Sequence, residues 1–147
     1  MKINNDIFFA EVERLLQQSE EVTIPIRGNS MRPTLRDGRE KVVLRRYDGK
    51  QVSVGDVMLF RYRGVYVLHR VVSIEGERIT FAGDGNYKLY ERATTKDVVA
   101  QMVAYVKEDG RRVECTDREW LRYSRVWMSM PMLLRRLILG VERRIKI

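Results

Sequence analysis

The 147-residue sequence predicts a mainly β fold: a compact, mostly antiparallel β domain with one helix before it and a basic helical tail after it. Between residues 21 and 107, short runs rich in Val, Ile, Tyr and Phe alternate with turn signals built on Gly and Asp. Many short strands with closely spaced turns are typical of antiparallel β domains. On both sides of this region, apolar residues recur at helical spacing. The length fits a single domain with a core of its own.

The first predicted element is a helix that Asn5 or Asp6 can cap and that ends near Gln18. Its apolar residues recur at intervals of three and four, so one face of the helix can pack on the domain. These residues are Ile7, Phe8, Val12, Leu15 and Leu16.

Six runs then predict six strands, separated by turn signals. The runs are VTIPIR (22–27), EKVVLRRY (40–47), DVMLFRYR (56–63), VYVLHRVVSI (65–74), RITFAG (78–83) and DVVAQMVAYV (97–106). Two of the connections are short and contain glycine: YRG (62–64), where the third run ends and the fourth begins, and EGE (75–77) between the fourth and fifth. Such connections predict β-hairpins.

The pattern becomes helical again after Asp117, which is typical of an N-cap residue. We place a boundary near Gly110, with a domain over residues 1–110 and an amphipathic tail over 111–147 that is an appendage and not a second domain. Pro131 should kink or divide the tail helix. The tail carries ten Lys and Arg against four Asp and Glu, so it accounts for +6 of the net charge of +8. Such a tail can lie on an anionic membrane, dock on an acidic protein, or pack on its own domain, and the sequence leaves these three open.

Composition limits the class of protein further. No run approaches the roughly 20 apolar residues of a membrane-spanning helix, and no secretion signal is visible at the start of the chain. Cys115 is the only cysteine, so no internal disulfide forms and a reducing cytoplasm is expected. The localisation expected is cytoplasmic, with peripheral contact at the inner face of the membrane if the tail binds lipid. We expect no metal and no cofactor.

A serine in the segment GNSMRPTL (28–35) is the candidate nucleophile. Ser30 follows the first predicted strand directly, at a point where a hydroxyl can project from a rigid edge. Gly28 lets the backbone approach a substrate closely, and Pro33 fixes the turn. Amide N–H groups near Asn29 and Met31 can form an oxyanion site there.

The single histidine is the candidate base, because a serine hydroxyl needs one within hydrogen-bond reach. His69 lies in the fourth run, and strand alternation puts it on the same face as Val65, Val67 and Val71. Downstream, Asp84 in the segment FAGDGN is an acid that can hold the imidazole and stabilise its protonated form. The rate should then fall below an apparent pKa in the histidine range, moved upward by that acid.

These segments resemble the boxes of type I signal peptidases and of the related self-cleaving SOS repressors. GNSMRPTL resembles the nucleophile box, GDVMLFRY (55–62) the next box, VLHRVV (67–72) the box of the base, and AGDGN (82–86) the GDNN box. Histidine in place of lysine is similar to the endoplasmic-reticulum and archaeal branch, which implies a Ser–His mechanism, a polypeptide substrate and small residues on the acyl side of the cut. That branch carries further acids beyond the GDNN box, where this chain has Leu89, Tyr90 and Glu91. Asp84 is therefore the predicted third residue, with Glu91 as its alternative.

Two other functions compete with an endopeptidase that processes precursor or leader peptides. A self-cleaving repressor would need a helix-turn-helix domain and an Ala-Gly or Cys-Gly bond before Ser30, and only one helix and no such bond fit there. A basic β module could bind an acidic protein, or nucleic acid through aromatic residues such as Tyr62. Nucleic acid is not the partner we expect, because the residues before the tail carry only +2.

Overall fold

The computed structural model describes the backbone of residues 2–3 and 6–145, and within them the side chains of residue 8 and of residues 10–141 other than 87. The helices are α1 (Asp6–Gln18), α2 (Arg118–Ser129) and α3 (Met132–Ile145). The strands are β1 (Lys2–Ile3), β2 (Val22–Pro25), β3 (Lys41–Arg46), β4 (Val57–Tyr62), β5 (Val65–Glu75), β6 (Arg78–Gly83), β7 (Asn86–Thr94), β8 (Val98–Val106) and β9 (Arg112–Glu114). A single 3₁₀ turn over Thr95–Asp97 joins β7 to β8.

The strands form one antiparallel sheet in the order β2-β3-β8-β4-β5-β6-β7, with β1 added to β5 and β9 added to β8. The prediction of a mainly β, antiparallel fold is confirmed, and each of the six predicted runs contains a strand. Strand β7 was not predicted, because NYKLYERAT mixes charged and apolar residues without clear alternation. Its pairing with β6 supplies the β structure that its own residues do not indicate.

Both predicted hairpins are present. In the first, Tyr62 pairs with Val65, and the two residues between them have positive φ, 50° at Arg63 and 81° at Gly64. Positive φ at both central residues is the geometry of a type I′ turn, whose twist matches that of the flanking strands. In the second hairpin, β5 and β6 pair up to Glu75 and Arg78, with Gly76 in the turn.

The core consists of two clusters on opposite faces of the central strands. The first lies beneath α1 and includes Val12, Leu16 and Leu68. The second is built around Phe60 and Phe81, whose rings stack with centroids 3.9 Å apart. Because residues of β5 alternate between the two clusters, this strand is buried on both faces over much of its length. Its centre is therefore a place where a polar side chain can be held away from water.

The C-terminal helices begin and end close to the predicted positions. Asp117 is the N-cap residue of α2, and Pro131 separates α2 from α3. The part of the tail before Pro131 is attached to the β domain, however, since Val113 and Trp120 are buried in the first core cluster. The predicted boundary near Gly110 therefore precedes residues that complete the core. Within the part of the chain that the structure describes, no helix is long and apolar enough to cross a membrane.

Substitution of Trp120 tests whether α2 is attached to the β domain. Trp120 is 4% exposed, while its neighbour Leu121 is 49% exposed. We expect Trp120→Ala to lower the free energy of unfolding by about 3–5 kcal/mol, since it removes a large buried ring from the core. Leu121→Ala is the matched control on the same turn of α2 and should change this free energy by less than about 0.5 kcal/mol. Equilibrium unfolding in urea measures both. Equal effects of the two substitutions would mean that α2 does not pack on the sheet.

Candidate active site

The segment that carries the candidate nucleophile, residues 28–35, is a turn held in place by a hydrogen bond and by core packing. After β2, Gly28 adopts a φ of 81°, and its N–H donates a hydrogen bond to Asp37 at 2.7 Å. After the serine, Met31 and Leu35 of the same segment are buried at 1% and 0% exposure. Ser30 therefore lies on a short stretch of chain that is fixed by core packing, as its predicted position at a rigid edge requires.

Two backbone hydrogen bonds brace the turn on which the serine lies. The Arg32 N–H donates to the Asn29 carbonyl at 3.2 Å, and the Leu35 N–H donates to the Met31 carbonyl at 2.9 Å. The N–H of Ser30 is not among the donors that the turn uses in this way. Pro33 follows in the same turn, after a cis peptide bond with Arg32.

Two glycines bring the end of β6 against this turn. The Gly85 N–H donates to the Ser30 carbonyl at 2.9 Å. A Cβ atom on Gly83 would lie 2.3 Å from the Ser30 carbonyl oxygen and 3.0 Å from Nε2 of His69, both closer than atoms can approach without displacement. A Cβ on Gly85 would lie 2.5 Å from the Asn29 carbonyl oxygen. The missing side chains thus allow β6, the serine turn and the histidine to meet at one place.

His69 lies at the middle of β5 and is 2% exposed. Its Nδ1 is 2.6 Å from Oε1 of Glu91, which is 5% exposed. A carboxylate can only accept, so the hydrogen bond is donated by Nδ1–H and leaves Nε2 as the basic nitrogen. Glu91 reaches the imidazole from β7, which pairs with β6 and lies one strand away from β5.

The two groups predicted to react, the Ser30 hydroxyl and the His69 imidazole, are shielded from solvent. Within the described part of the chain, neither Oγ of Ser30 nor Nε2 of His69 has a hydrogen-bond partner, although both atoms are buried. Both residues border Gly83 on the same side, so Nε2 lies close to the backbone of Ser30. Hydrogen bonds between catalytic groups are often long or poorly aligned before substrate binds.

Burial lowers the pKa of His69, although the hydrogen bond and charge of Glu91 act in the opposite direction. The direction is opposite to the predicted upward shift, because desolvation of the imidazolium outweighs its stabilisation by the acid. The imidazole is therefore neutral at pH 7 and able to accept a proton. This is the protonation state that a general base needs.

The sequence of the chain matches the model of a known protein family. The family model of signal peptidase, peptidase S26, matches residues 15–119. The chain belongs to the signal peptidase family. Membership of this family makes the chain a signal-peptidase-like serine peptidase. The substrates of such a peptidase are polypeptides. Neither the curated proteins nor the solved structures contain a match to this chain.

Asp84 was predicted to hold the imidazole of His69, but the structure pairs it with Arg70 instead. Its carboxylate accepts two hydrogen bonds from the Arg70 guanidinium, each 2.8 Å long, and one from the Thr34 hydroxyl at 2.5 Å. The carboxylate at Nδ1 of His69 belongs to Glu91, the alternative candidate. The reason is strand alternation. His69 and Arg70 are neighbours in β5, so their side chains point to opposite faces of the strand. A different acid therefore lies beside each of them.

The Arg70–Asp84 pair also connects the peptidase site to α2. Both side chains are almost fully buried, at 1% and 3% exposure. Arg70 donates to Oγ of Ser124 at 2.8 Å and to the Gly55 carbonyl at 3.1 Å, and it lies 5.0 Å from the ring centroid of Trp120. The pair thus has the additional hydrogen bonds that a buried ion pair needs to offset its desolvation.

In the part of the chain that the structure describes, neither Cys115 nor a metal site provides a second candidate centre. Burial raises the pKa of the Cys115 thiol to about 12, so it stays protonated and a poor nucleophile at neutral pH. Over the described residues, no group of three or more His, Cys, Asp or Glu side chains could hold a metal ion. The Ala82–Gly83 bond, the one Ala-Gly bond of the chain, lies in β6 with Ala82 buried.

Gly83→Ala tests the close contact at the site. The added Cβ must displace the Ser30 backbone by several tenths of an ångström, so we expect the turnover rate to fall by roughly 10²-fold, as misplacement of a reacting group by about 1 Å can cost. Gly140→Ala is the matched control, because a Cβ at Gly140 in α3 meets no atom within 4 Å. Turnover is measured by mass spectrometry on the peptide that the wild type cleaves fastest in a peptide library. An active Gly83→Ala protein would show that the serine turn is not held against β6.

Proposed function

We propose that this chain is a serine endopeptidase that cleaves a precursor or leader peptide by a Ser–His mechanism. In this proposal Ser30 is the nucleophile, His69 the general base and Glu91 the acid that orients the imidazole. The observation that carries the proposal is the state of His69: a buried, neutral imidazole with Nδ1 bonded to Glu91 and Nε2 unpaired beside the Ser30 turn. A histidine that only filled the core would have no need of a free nitrogen at that position.

The reaction follows from this arrangement. Oγ of Ser30 attacks the carbonyl carbon of the scissile peptide bond while its proton passes to Nε2 of His69. The protonated imidazole then gives that proton to the departing amine, the C–N bond breaks, and the acyl group remains on Ser30. A water molecule, deprotonated by Nε2, hydrolyses this ester and restores both residues. Glu91 keeps the proton on Nδ1 throughout and stabilises the imidazolium that forms between the two transfers.

The negative charge that develops on the carbonyl oxygen needs donors near Ser30. We assign this role to the backbone N–H of Ser30, with Gly28 and Asn29 shaping the turn around it. Gly28 has no side chain, so the turn leaves room for the substrate backbone at this position. Met31 and Pro33 hold the turn rigid, Met31 through its burial in the core. Preorganised donors of this kind cost no rearrangement when the charge appears.

Asp84 then has a positioning role and does not act on the imidazole. It joins Thr34, four residues after the nucleophile, to Arg70, the neighbour of the base. The two halves of the site are thereby fixed relative to each other by one buried carboxylate.

Two further elements complete the proposal. We propose a cytoplasmic location, and, by similarity to the Ser–His branch of the family, a small residue on the acyl side of the cut.

Loss of Ser30 tests the function most directly. Wild-type protein should cleave members of a peptide library, and Ser30→Ala and His69→Ala should each remove nearly all cleavage, as judged by mass spectrometry. The double variant should be no less active than either single one, because the pair acts as a unit. Ser73→Ala, an exposed serine in the same strand as His69, is the control and should retain full activity. Unchanged cleavage by His69→Ala would refute the Ser–His mechanism.

The pH dependence distinguishes Glu91 from Asp84. Cleavage is expected above the pKa of His69 and is lost as the pH falls through it, so the acid limb of kcat/KM should lie below the ordinary value of ~6.5. Glu91→Gln removes a charge that raises this pKa, so it should move the limb further toward acid. It should also lower the rate by roughly 10²–10⁴, the effect of losing an orienting acid.

Asp84→Asn is the matched comparison, since it breaks the buried pair with Arg70. We expect it to lower the free energy of unfolding by about 3–5 kcal/mol. Its acid limb should move less than that of Glu91→Gln, because Glu91 contributes more to the pKa of His69 than Asp84 does. The reverse pattern, with the larger shift of the acid limb in Asp84→Asn, would return the orienting role to Asp84.

A further inference from the structure

The C-terminal helices expose an unusual amount of apolar surface. Thirteen large apolar or aromatic side chains are exposed in the part of the chain that the structure describes, and nine of them lie in α2 and α3. They are Leu121, Tyr123, Val126, Met132, Leu133, Leu134, Leu137, Ile138 and Val141. Concentration of apolar surface in one region marks an interaction site, whereas scattered exposed residues do not.

Helix α3 presents its apolar side outward. Leu133, Leu137 and Val141, at intervals of four, are 68%, 57% and 54% exposed. With Leu134 and Ile138 they span about 140° of the helix circumference at 100° per residue. Leu139, on the other side of α3, is its one buried residue among positions 132–141. An amphipathic helix on a soluble domain normally turns its wide apolar stripe to the core, and α3 does the reverse.

Arginine side chains accompany this surface. On the helical projection of α3, Arg136 borders the apolar stripe on one side and Arg135 on the other. Exposed Arg122 and Arg125 lie between Leu121 and Val126 on α2. The acid of α2, Glu119, is already paired with Lys107 and Arg111. The described part of the two helices therefore presents positive charge without a free negative one.

The position of the arginines indicates which surface can cover the apolar stripe, a second copy of the chain or a lipid bilayer. Two copies of the chain packed through it would bring arginines against arginines. An anionic lipid surface complements both features, because acyl chains take up the leucines while lipid phosphates meet the arginines at the border. The stripe lies on a single helix of 14 residues, about 21 Å long, which suits a helix parallel to the interface and is too short to span a bilayer.

We propose that α2 and α3 form a membrane-docking face that lies in the headgroup region of an anionic lipid bilayer. The face is defined by Leu133, Leu134, Leu137, Ile138 and Val141 together with the arginines that border them. Because Arg70 binds Ser124 of α2, the docked helices are joined to the strand that carries His69. Docking would hold the site at a fixed distance from the bilayer surface. This proposal is independent of the peptidase mechanism.

Flotation of the full-length protein with vesicles tests the proposal. It should bind vesicles that contain phosphatidylglycerol, be released as salt is raised, and bind pure phosphatidylcholine far more weakly. Leu133→Ser with Leu137→Ser should reduce partitioning by about tenfold or more, since two leucines no longer enter the acyl region. Leu89→Ser, at a leucine of β7 that is 56% exposed, is the matched control and should bind like the wild type.

Two further measurements make the result decisive. Peptide cleavage in solution should be unchanged in the Leu133/Leu137 variant, which separates failure of docking from failure of the peptidase. Replacing Arg122, Arg125 and Arg136 by Gln should weaken binding and reduce its salt dependence. Equal binding to neutral and anionic vesicles, or none to either, would overturn the proposal. Self-association in solution that the Leu133/Leu137 substitutions abolish would also overturn it, in favour of a second copy of the chain.

Discussion

The contact between residues 83–85 and the serine turn is the feature on which the arrangement of the site depends. On one side, the backbone of Gly83 and Gly85 touches the carbonyl oxygens of Ser30 and Asn29 more closely than a Cβ would allow. On the other, Asp84 bonds to Arg70 and Thr34. Residues far apart in sequence are thereby held together by three consecutive ones. A site that relies on backbone contact and a buried ion pair is rigid, and rigidity is what preorganised catalysis requires.

Strand β5 shows how one element can serve both chemistry and stability. His69 and Arg70 are adjacent, and alternation sends them to opposite faces of a strand that is buried on both. Each therefore needs an acid of its own, which is Glu91 for the histidine and Asp84 for the arginine. The two pairs differ in what burial does to them. Desolvation lowers the pKa of the imidazole and keeps it neutral, whereas the arginine stays charged and its carboxylate partner compensates the cost of burial.

The two C-terminal helices have different relations to the domain. Helix α2 is part of it, since Trp120 fills the core and Ser124 bonds to Arg70. In helix α3, Leu139 is buried on one side, and the widest apolar side is exposed. Burial of that side in the domain would have stabilised the fold, and the exposed side is the one that we propose binds an anionic bilayer.

Sequence alone determined the strand runs, both hairpins, the break at Pro131 and the family, because these depend on local spacing, turn residues and short motifs. It also singled out Ser30 and the lone His69 as the pair to consider. Tertiary structure decided which acid faces the imidazole, because β7 has little strand signal of its own and Glu91 reaches His69 only after β7 pairs with β6. It likewise decided that Trp120 belongs to the core while Leu133 does not, since periodicity identifies an apolar side but not the surface against which it packs.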